Sequence, residues 1–140
     1  MVVKFYETVE DSMLKFAVIL TRSDGKWVLC KHRERDTYEA PGGHREPGET
    51  IDEAACRELY EETGAVQYEI QPLCVYSVTD QCGEETFGKL YCAEITEFEE
   101  KLHSEIERVE LFEELPENWT YPEIQPVLVE EYLRRMELKQ

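Results

Sequence analysis

Two runs rich in aliphatic, β-branched and aromatic residues, 14–21 and 26–31, flank Ser23-Asp24-Gly25. They predict a β-hairpin turning on that tripeptide. Residues 38–43 close on Pro41-Gly42-Gly43, a run expected to continue no regular element. The period then changes to helical. Thr50-Ile51-Asp52-Glu53 fits a capping box, Ile51, Ala55 and Leu59 recur on one face, and Gly64 supplies a stop about four turns on. Strand-like runs follow at 66–78 and 86–95, with a shorter one at 109–112. From Pro122 the spacing is helical again, with Ile124, Leu128, Tyr132 and Met136 forming a stripe suited to core packing. The expected class is α/β, a mixed sheet between two helices that cover opposite faces. Strand order and register do not follow from the pattern. No internal repeat, Ser/Gly-rich linker or low-complexity block interrupts the chain, so residues 1–140 are expected to form one domain.

Composition agrees with a packed domain. With 140 residues, 41% of them hydrophobic, the chain can bury about two thirds of its unfolded surface. Its longest apolar run, Phe16-Ala17-Val18-Ile19-Leu20, falls far short of the roughly 20 residues a membrane helix needs. The first ten residues lack the basic-then-apolar-then-small order of a secretion signal, and a cytoplasmic location is the expectation. The five cysteines show no C-x-x-C spacing and read as reduced thiols. Charge narrows the partners further. Fifteen Lys and Arg against 32 Asp and Glu give −17, which repels double-stranded nucleic acid and anionic membranes. A small phosphate ester stays compatible with that charge when divalent cations sit between the two sets of negative groups. The acidic stretch 97–117 is broken by Ile106, Val109, Leu111 and Phe112, which suits a short strand with a polar flank better than a disordered tail.

The candidate chemistry lies on the capped helix. At 100° per residue Glu58, Glu61 and Glu62 fall within an arc of about 100°, with Arg57 at its margin and the apolar stripe alongside. Like charges at these spacings destabilise a helix by a few tenths of a kcal/mol per pair, and partial burial raises that cost. Two offsets fit: a hard cation such as Mg²⁺, which favours oxygen ligands, or Arg57 as counterion on an acidic surface helix. Spacing alone leaves both open.

The surrounding residues carry a resemblance. Gly43, five intervening residues, Glu49, seven more, then Arg57-Glu58-Leu59-Tyr60-Glu61-Glu62-Thr63-Gly64-Ala65 is similar to the Nudix box, G-x5-E-x7-R-E-U-x-E-E-x-G-U with U aliphatic, at all seven fixed positions. Ala65 is small for the last aliphatic position. The match is tight over residues 42–65 and extends loosely through the upstream hairpin and Glu113-Glu114-Leu115-Pro116. It implies a Nudix-type α/β/α sandwich that hydrolyses a nucleoside diphosphate linked to another group, using Mg²⁺ or Mn²⁺. Carried over by position, Glu58, Glu61 and Glu62 would be metal ligands with the Gly42 carbonyl, and Glu49 and Arg57 would brace loop against helix. Glu58 or Glu61 would also act in catalysis, Glu58 as base in place of ligand. A carboxylate outside the box is expected as well, with Glu105 the first nominee and Glu107 the second.

Substrate choice lies outside the box. The resemblance is nearest to short MutT-like members, which implies (deoxy)nucleoside triphosphates, oxidised ones included, cleaved to a monophosphate and pyrophosphate. ADP-ribose, dinucleoside polyphosphates and RNA 5′-triphosphate ends are the alternatives, and a non-catalytic nucleotide-sensing domain is another. MutT-type members place a purine-reading asparagine where this chain has Ile124-Gln125-Pro126. Arg33 and Arg35, flanking the Pro-Gly-Gly segment, are candidates for the terminal phosphates, and Tyr38 and Phe87 for contact with the base. Monomer and homodimer both stay open.

Overall fold

The computed structural model describes residues 1–100 and 106–138. Its elements in chain order are β1 (Val2–Tyr6), a 3₁₀ turn (Asp11–Met13), β2 (Leu14–Ser23), β3 (Lys26–His32), β4 (Gly42–His44), α1 (Ile51–Thr63), β5 (Ala65–Thr79), β6 (Glu85–Phe98), β7 (Ile106–Phe112) and α2 (Gln125–Leu138). Six strands form a continuous mixed sheet in the order β1-β5-β6-β2-β3-β7, and β4 pairs with β2 off that path. Every pairing is antiparallel except β2 with β6, which run parallel from Leu14↔Phe87 to Arg22↔Glu94.

Local sequence explains most of these boundaries. The hairpin turns on two residues, not three: Ser23 is still in strand, and Asp24 and Gly25 both have positive φ, 52° and 75°. That is the left-handed pair a type I′ turn requires, and its twist suits the flanking strands. In α1 the capping box is complete. The Thr50 hydroxyl accepts from the Glu53 N–H at 3.0 Å, while the Glu53 carboxylate accepts from the Thr50 N–H at 2.8 Å. Gly64, at φ 75°, ends the helix in the left-handed conformation, its N–H donating to the Tyr60 carbonyl.

Two expectations need correction. The Pro-Gly-Gly run does continue a regular element, because Gly42–His44 adds to β2 with Val18 opposite Gly42 and Phe16 opposite His44. The missing side chain is what permits it: a Cβ on Gly42 would meet the Ala17 carbonyl oxygen. At the N-terminus, Val2–Tyr6 forms an edge strand against residues 75–79. The final helix starts at Gln125, after a turn at 122–124.

Alternation along the central strands divides the interior. Ala17 and Ile19 of β2, with Tyr91, Ala93 and Ile95 of β6, pack under Ile51, Ala55 and Leu59 of α1. On the other face Leu20, Tyr76 and Leu90 pack with Leu128 and Val129 of α2, Ile124 and Tyr132 lying against the same cluster. The two helices thus cover opposite faces, as the pattern implied. Among the described residues no two cysteines are joined in a disulfide. No helix among the described residues is long and apolar enough to cross a membrane.

Candidate active site

The loop from β4 into α1 is held to the helix by one side chain. Arg57 Nε donates to Glu49 Oε2 at 2.6 Å and Nη2 to Glu49 Oε1 at 3.0 Å, a two-point grip that a planar fork can make and an ammonium cannot. Nη2 also donates to the His44 carbonyl at 3.0 Å, and Nη1 donates to Glu58 at 2.6 Å and Glu61 at 3.2 Å. Hydrogen bonding to Arg57 holds the Glu49 carboxyl down at about 2.

The carboxylates beside Arg57 are graded in burial. The Glu61 side chain is 41% exposed, Glu58 14% and Glu62 9%. Gly43 is pressed against Glu58, where a Cβ would lie 2.5–2.7 Å from the carboxyl group. The Gly42 N–H donates to Glu62 Oε1 at 2.7 Å. Burial pushes the Glu62 carboxyl up to about 8, with Glu58, Glu39 and Glu61 adding to the rise and the Gly42 N–H opposing it. Burial also raises Glu58, against the pull of Arg57. Charge is therefore crowded where water cannot fully relieve it.

One further carboxylate joins this group. Glu39, buried on the segment before Pro41, faces His32, whose Nε2 stands 3.6 Å from Glu39 Oε1 and 3.5 Å from Glu62 Oε2. Arg35 Nη1 donates to Glu39 Oε1 at 3.2 Å. Beneath lies Cys30, fully buried, its thiol donating to the Glu62 carbonyl at 3.3 Å and its pKa raised by burial. Sequence reasoning missed Glu39 because its neighbours come from β3 and α1, and nothing in the local pattern marks it.

Beside the carboxylates a cleft of about 310 Å³ opens on the α2 face of the sheet, bounded at one end by Glu39, Gly42 and Gly43. Its other walls are mainly apolar, from Phe16, Val18, Tyr76, Val78 and Ile124. Gln125 lines it too, with Oε1 accepting the Ala40 N–H at 2.8 Å.

The expected substrate contacts divide. Arg35 lies at the rim, bonded to Glu39, and Arg33 is exposed on the same loop. Tyr38 is not in the cleft: it is 7% exposed, and its ring packs edge-on against Phe112 at 5.0 Å. Phe87 is not there either. It packs against Tyr6 at 5.5 Å on the α1 side, because strand alternation sends Thr86, not Phe87, into the cleft. Glu105 lies outside the described residues, and Glu107 falls in β7 with its side chain outside them.

Among the described residues no three His, Cys, Asp or Glu side chains converge as a formed ligand cage, since Arg57 occupies Glu58 and Glu61. The donor set still fits a hard cation, with carboxylate oxygens, one of them on a nearly buried side chain whose charge has no full counterion.

Comparison with known proteins agrees. YtkD of Bacillus subtilis (strain 168), whose name proposes 8-oxo-dGTP diphosphatase activity, is 41% identical over 106 residues, 74% of this chain. Those residues span 65% of YtkD, just under two thirds of its length. The chain resembles the crystal structure of Bacillus subtilis pyrophosphohydrolase BsRppH, in a mutant form, with a TM-score of 0.79 and 29% identity over 96% of this chain and 90% of that one. A MutT NUDIX hydrolase from Burkholderia pseudomallei gives 0.66 and 25% over 82% and 94%. The family model for the NUDIX domain matches residues 11–115, spanning the hairpin, the Arg57 grip and the carboxylate helix, and the chain belongs to that family.

Proposed function

We propose that this protein is a metal-dependent pyrophosphohydrolase that cleaves (deoxy)nucleoside triphosphates, oxidised ones included, to a monophosphate and pyrophosphate. The observation that carries the reading is a group of crowded, half-to-fully buried carboxylates set against Gly42 and Gly43 at the end of an apolar cleft. The polyphosphate would lie at the carboxylate end and the base in the cleft. The name of YtkD, which specifies 8-oxo-dGTP, supports the same substrate class.

Glu58, Glu61 and Glu62 would hold Mg²⁺ or Mn²⁺ with the Gly42 carbonyl. When bound, the cation supplies neutralisation of the polyphosphate's charge. Arg57 keeps the loop and helix in register through Glu49, so the carboxylates and the Gly42-Gly43 backbone stay at fixed separation. In place of a ligand, Glu58, its carboxyl raised by burial, is suited to take a proton from the attacking water, a role that contributes about 10²–10⁴-fold. Glu105 is a second candidate for that role. Arg35 at the cleft rim can shift from Glu39 to an incoming phosphate.

The test is a panel of nucleoside triphosphates with Mg²⁺ or Mn²⁺ in ¹⁸O-labelled water, with ADP-ribose, a dinucleoside polyphosphate and 5′-triphosphorylated RNA in parallel. The expected products from triphosphates are monophosphate and pyrophosphate, with label on one of them and no turnover after chelation. Orthophosphate as the sole first product, a trapped phosphoenzyme, or turnover of the parallel substrates alone refutes the reading.

A further inference from the structure

The guanidinium of Arg57 has two sets of partners, Glu49 on the loop and Glu58 and Glu61 on its own helix. Glu58 and Glu61 can serve a cation only when Arg57 gives up its hold on them. Its two bonds to Glu49 are what would then keep it back, so the firmness of Glu49 decides how freely those oxygens are offered.

The turn that carries Glu49 does not fix it. Residues 46–49 close on themselves: the Glu49 N–H donates to the Glu46 carbonyl at 3.1 Å, the Glu46 N–H donates to Glu49 Oε1 at 3.0 Å, and Gly48 takes a left-handed φ of 82°. Those bonds shape the turn without attaching it to the sheet. Packing does not attach it either. Glu46, Pro47 and Gly48 are exposed, and an open groove of about 620 Å³ is lined by this turn together with Asp11, Ser12 and Lys15.

Arg45 spans that groove. Its side chain, 20% exposed, donates from Nε to the Glu49 carbonyl at 2.8 Å and from Nη2 to Asp11 Oδ2 at 2.7 Å. Nη1 donates to the carbonyls of Asp11 at 2.9 Å and Leu14 at 3.4 Å, and the Arg45 N–H donates to the Lys15 carbonyl at 2.8 Å. One planar fork thus joins the 3₁₀ turn, the start of β2 and the main chain of Glu49, which a single ammonium cannot do. Among the described residues, the hydrogen bonds from the 46–49 turn to the rest of the protein run to Arg45 and Arg57. The two arginines hold Glu49 by its two ends, Arg45 by the carbonyl and Arg57 by the carboxylate.

We propose that Arg45 is a positioning residue for the cation site, setting its affinity by fixing Glu49 to the sheet so that Glu49 can restrain Arg57. Among the described residues Arg45 has no bond to Glu58, Glu61 or Glu62 and does not line the cleft, so its effect passes through the brace. With Arg45 lost, Glu49 moves with its turn, Arg57 stays with Glu58 and Glu61, and their oxygens are taken up by the guanidinium. The assignment rests on these carboxylates being a cation site, as proposed above.

The test is Mn²⁺ binding without nucleotide, followed by the electron paramagnetic resonance of the free ion. Arg45→Met, which keeps the stem and removes the fork, is expected to weaken binding by about tenfold or more, and Arg45→Lys by a smaller factor. In an Arg57→Lys background, where the brace is already loosened, Arg45→Met should cost about threefold or less, because residues that act through one network do not add. Should Arg45→Met fail to fold, Arg45→Lys carries the same comparison, with a loss of about threefold expected beside Arg57 and none beside Arg57→Lys. Equal Mn²⁺ affinity in wild type and the Arg45 variant, even with a lower melting temperature in chelator, shows a merely structural role and overturns the assignment. A loss of the same factor in both backgrounds overturns it too, and either result leaves the cation-site reading standing. Wild type that binds no Mn²⁺ overturns both.

Discussion

Replacing Glu62 by glutamine removes a charge the fold holds at a cost, and the cost has a definite pH dependence. The carboxyl has a usual value near 4.5 and is pushed to about 8 in the folded protein. Below pH 4.5 it is neutral in both states and carries no penalty. As pH rises the unfolded chain ionises first, so stability falls until the folded carboxyl ionises near 8, and is level above that. At 1.36 kcal/mol per pH unit of difference, the metal-free wild type should lose about 3 kcal/mol between pH 5.5 and 8.5, relative to a variant that cannot ionise there. For a domain of this size that corresponds to a gap in melting temperature that widens by on the order of 10 °C. The amide oxygen of the Glu62→Gln variant can still accept the Gly42 N–H, so the comparison isolates charge from hydrogen bonding. Thermal melts of wild type and Glu62→Gln in chelator, at half-unit steps of pH, provide the measurement. Added Mg²⁺ should raise the wild type, most at high pH where no proton has to be displaced, and leave the variant nearly unmoved. A gap that stays constant with pH would show that Glu62 is ionised in the fold without penalty and would remove the reason for a cation there.

Arg57→Lys should lower kcat by 10–100-fold and the melting temperature by several degrees, since an ammonium cannot grip both Glu49 oxygens and still reach Glu58; kinetics and melts that match wild type would refute the brace. Gly43→Ala should cut kcat steeply while the protein stays folded, because its Cβ meets only the movable end of Glu58, whereas Gly42→Ala meets the β2 backbone and should fail to fold or melt far lower. Circular dichroism melts beside turnover assays separate the two, and equal behaviour of the pair would refute the distinction.

What could be read from the sequence was what is encoded locally. The α1 boundaries follow from Thr50, Glu53 and Gly64 because capping acts within four residues, and the Glu49–Arg57 brace followed from the resemblance to the Nudix box. The errors lie where distant chain decides. Val2–Tyr6 is a strand because residues 75–79 are there to pair with it, and Gly42–His44 because β2 is. Tyr38 and Phe87 were aromatics near the right segments, yet their rings follow the packing of Phe112 and Tyr6. Glu39 and Gln125 gained their places only through His32, Arg35 and Ala40, contacts that no local pattern reports.

In β2, Ala17 and Ile19 lie under the carboxylate helix while Phe16 and Val18 form part of the cleft wall, so in the proposed function one strand supports reaction on one side and recognition on the other. Mutational drift can therefore act on the two separately. Residues facing the cleft can be exchanged to admit a different base or sugar without moving the residues under Glu58 and Glu62, and the chemistry survives while its target changes. On that proposal, a lineage built on this strand can diversify its target one wall residue at a time, each step starting from an intact carboxylate helix.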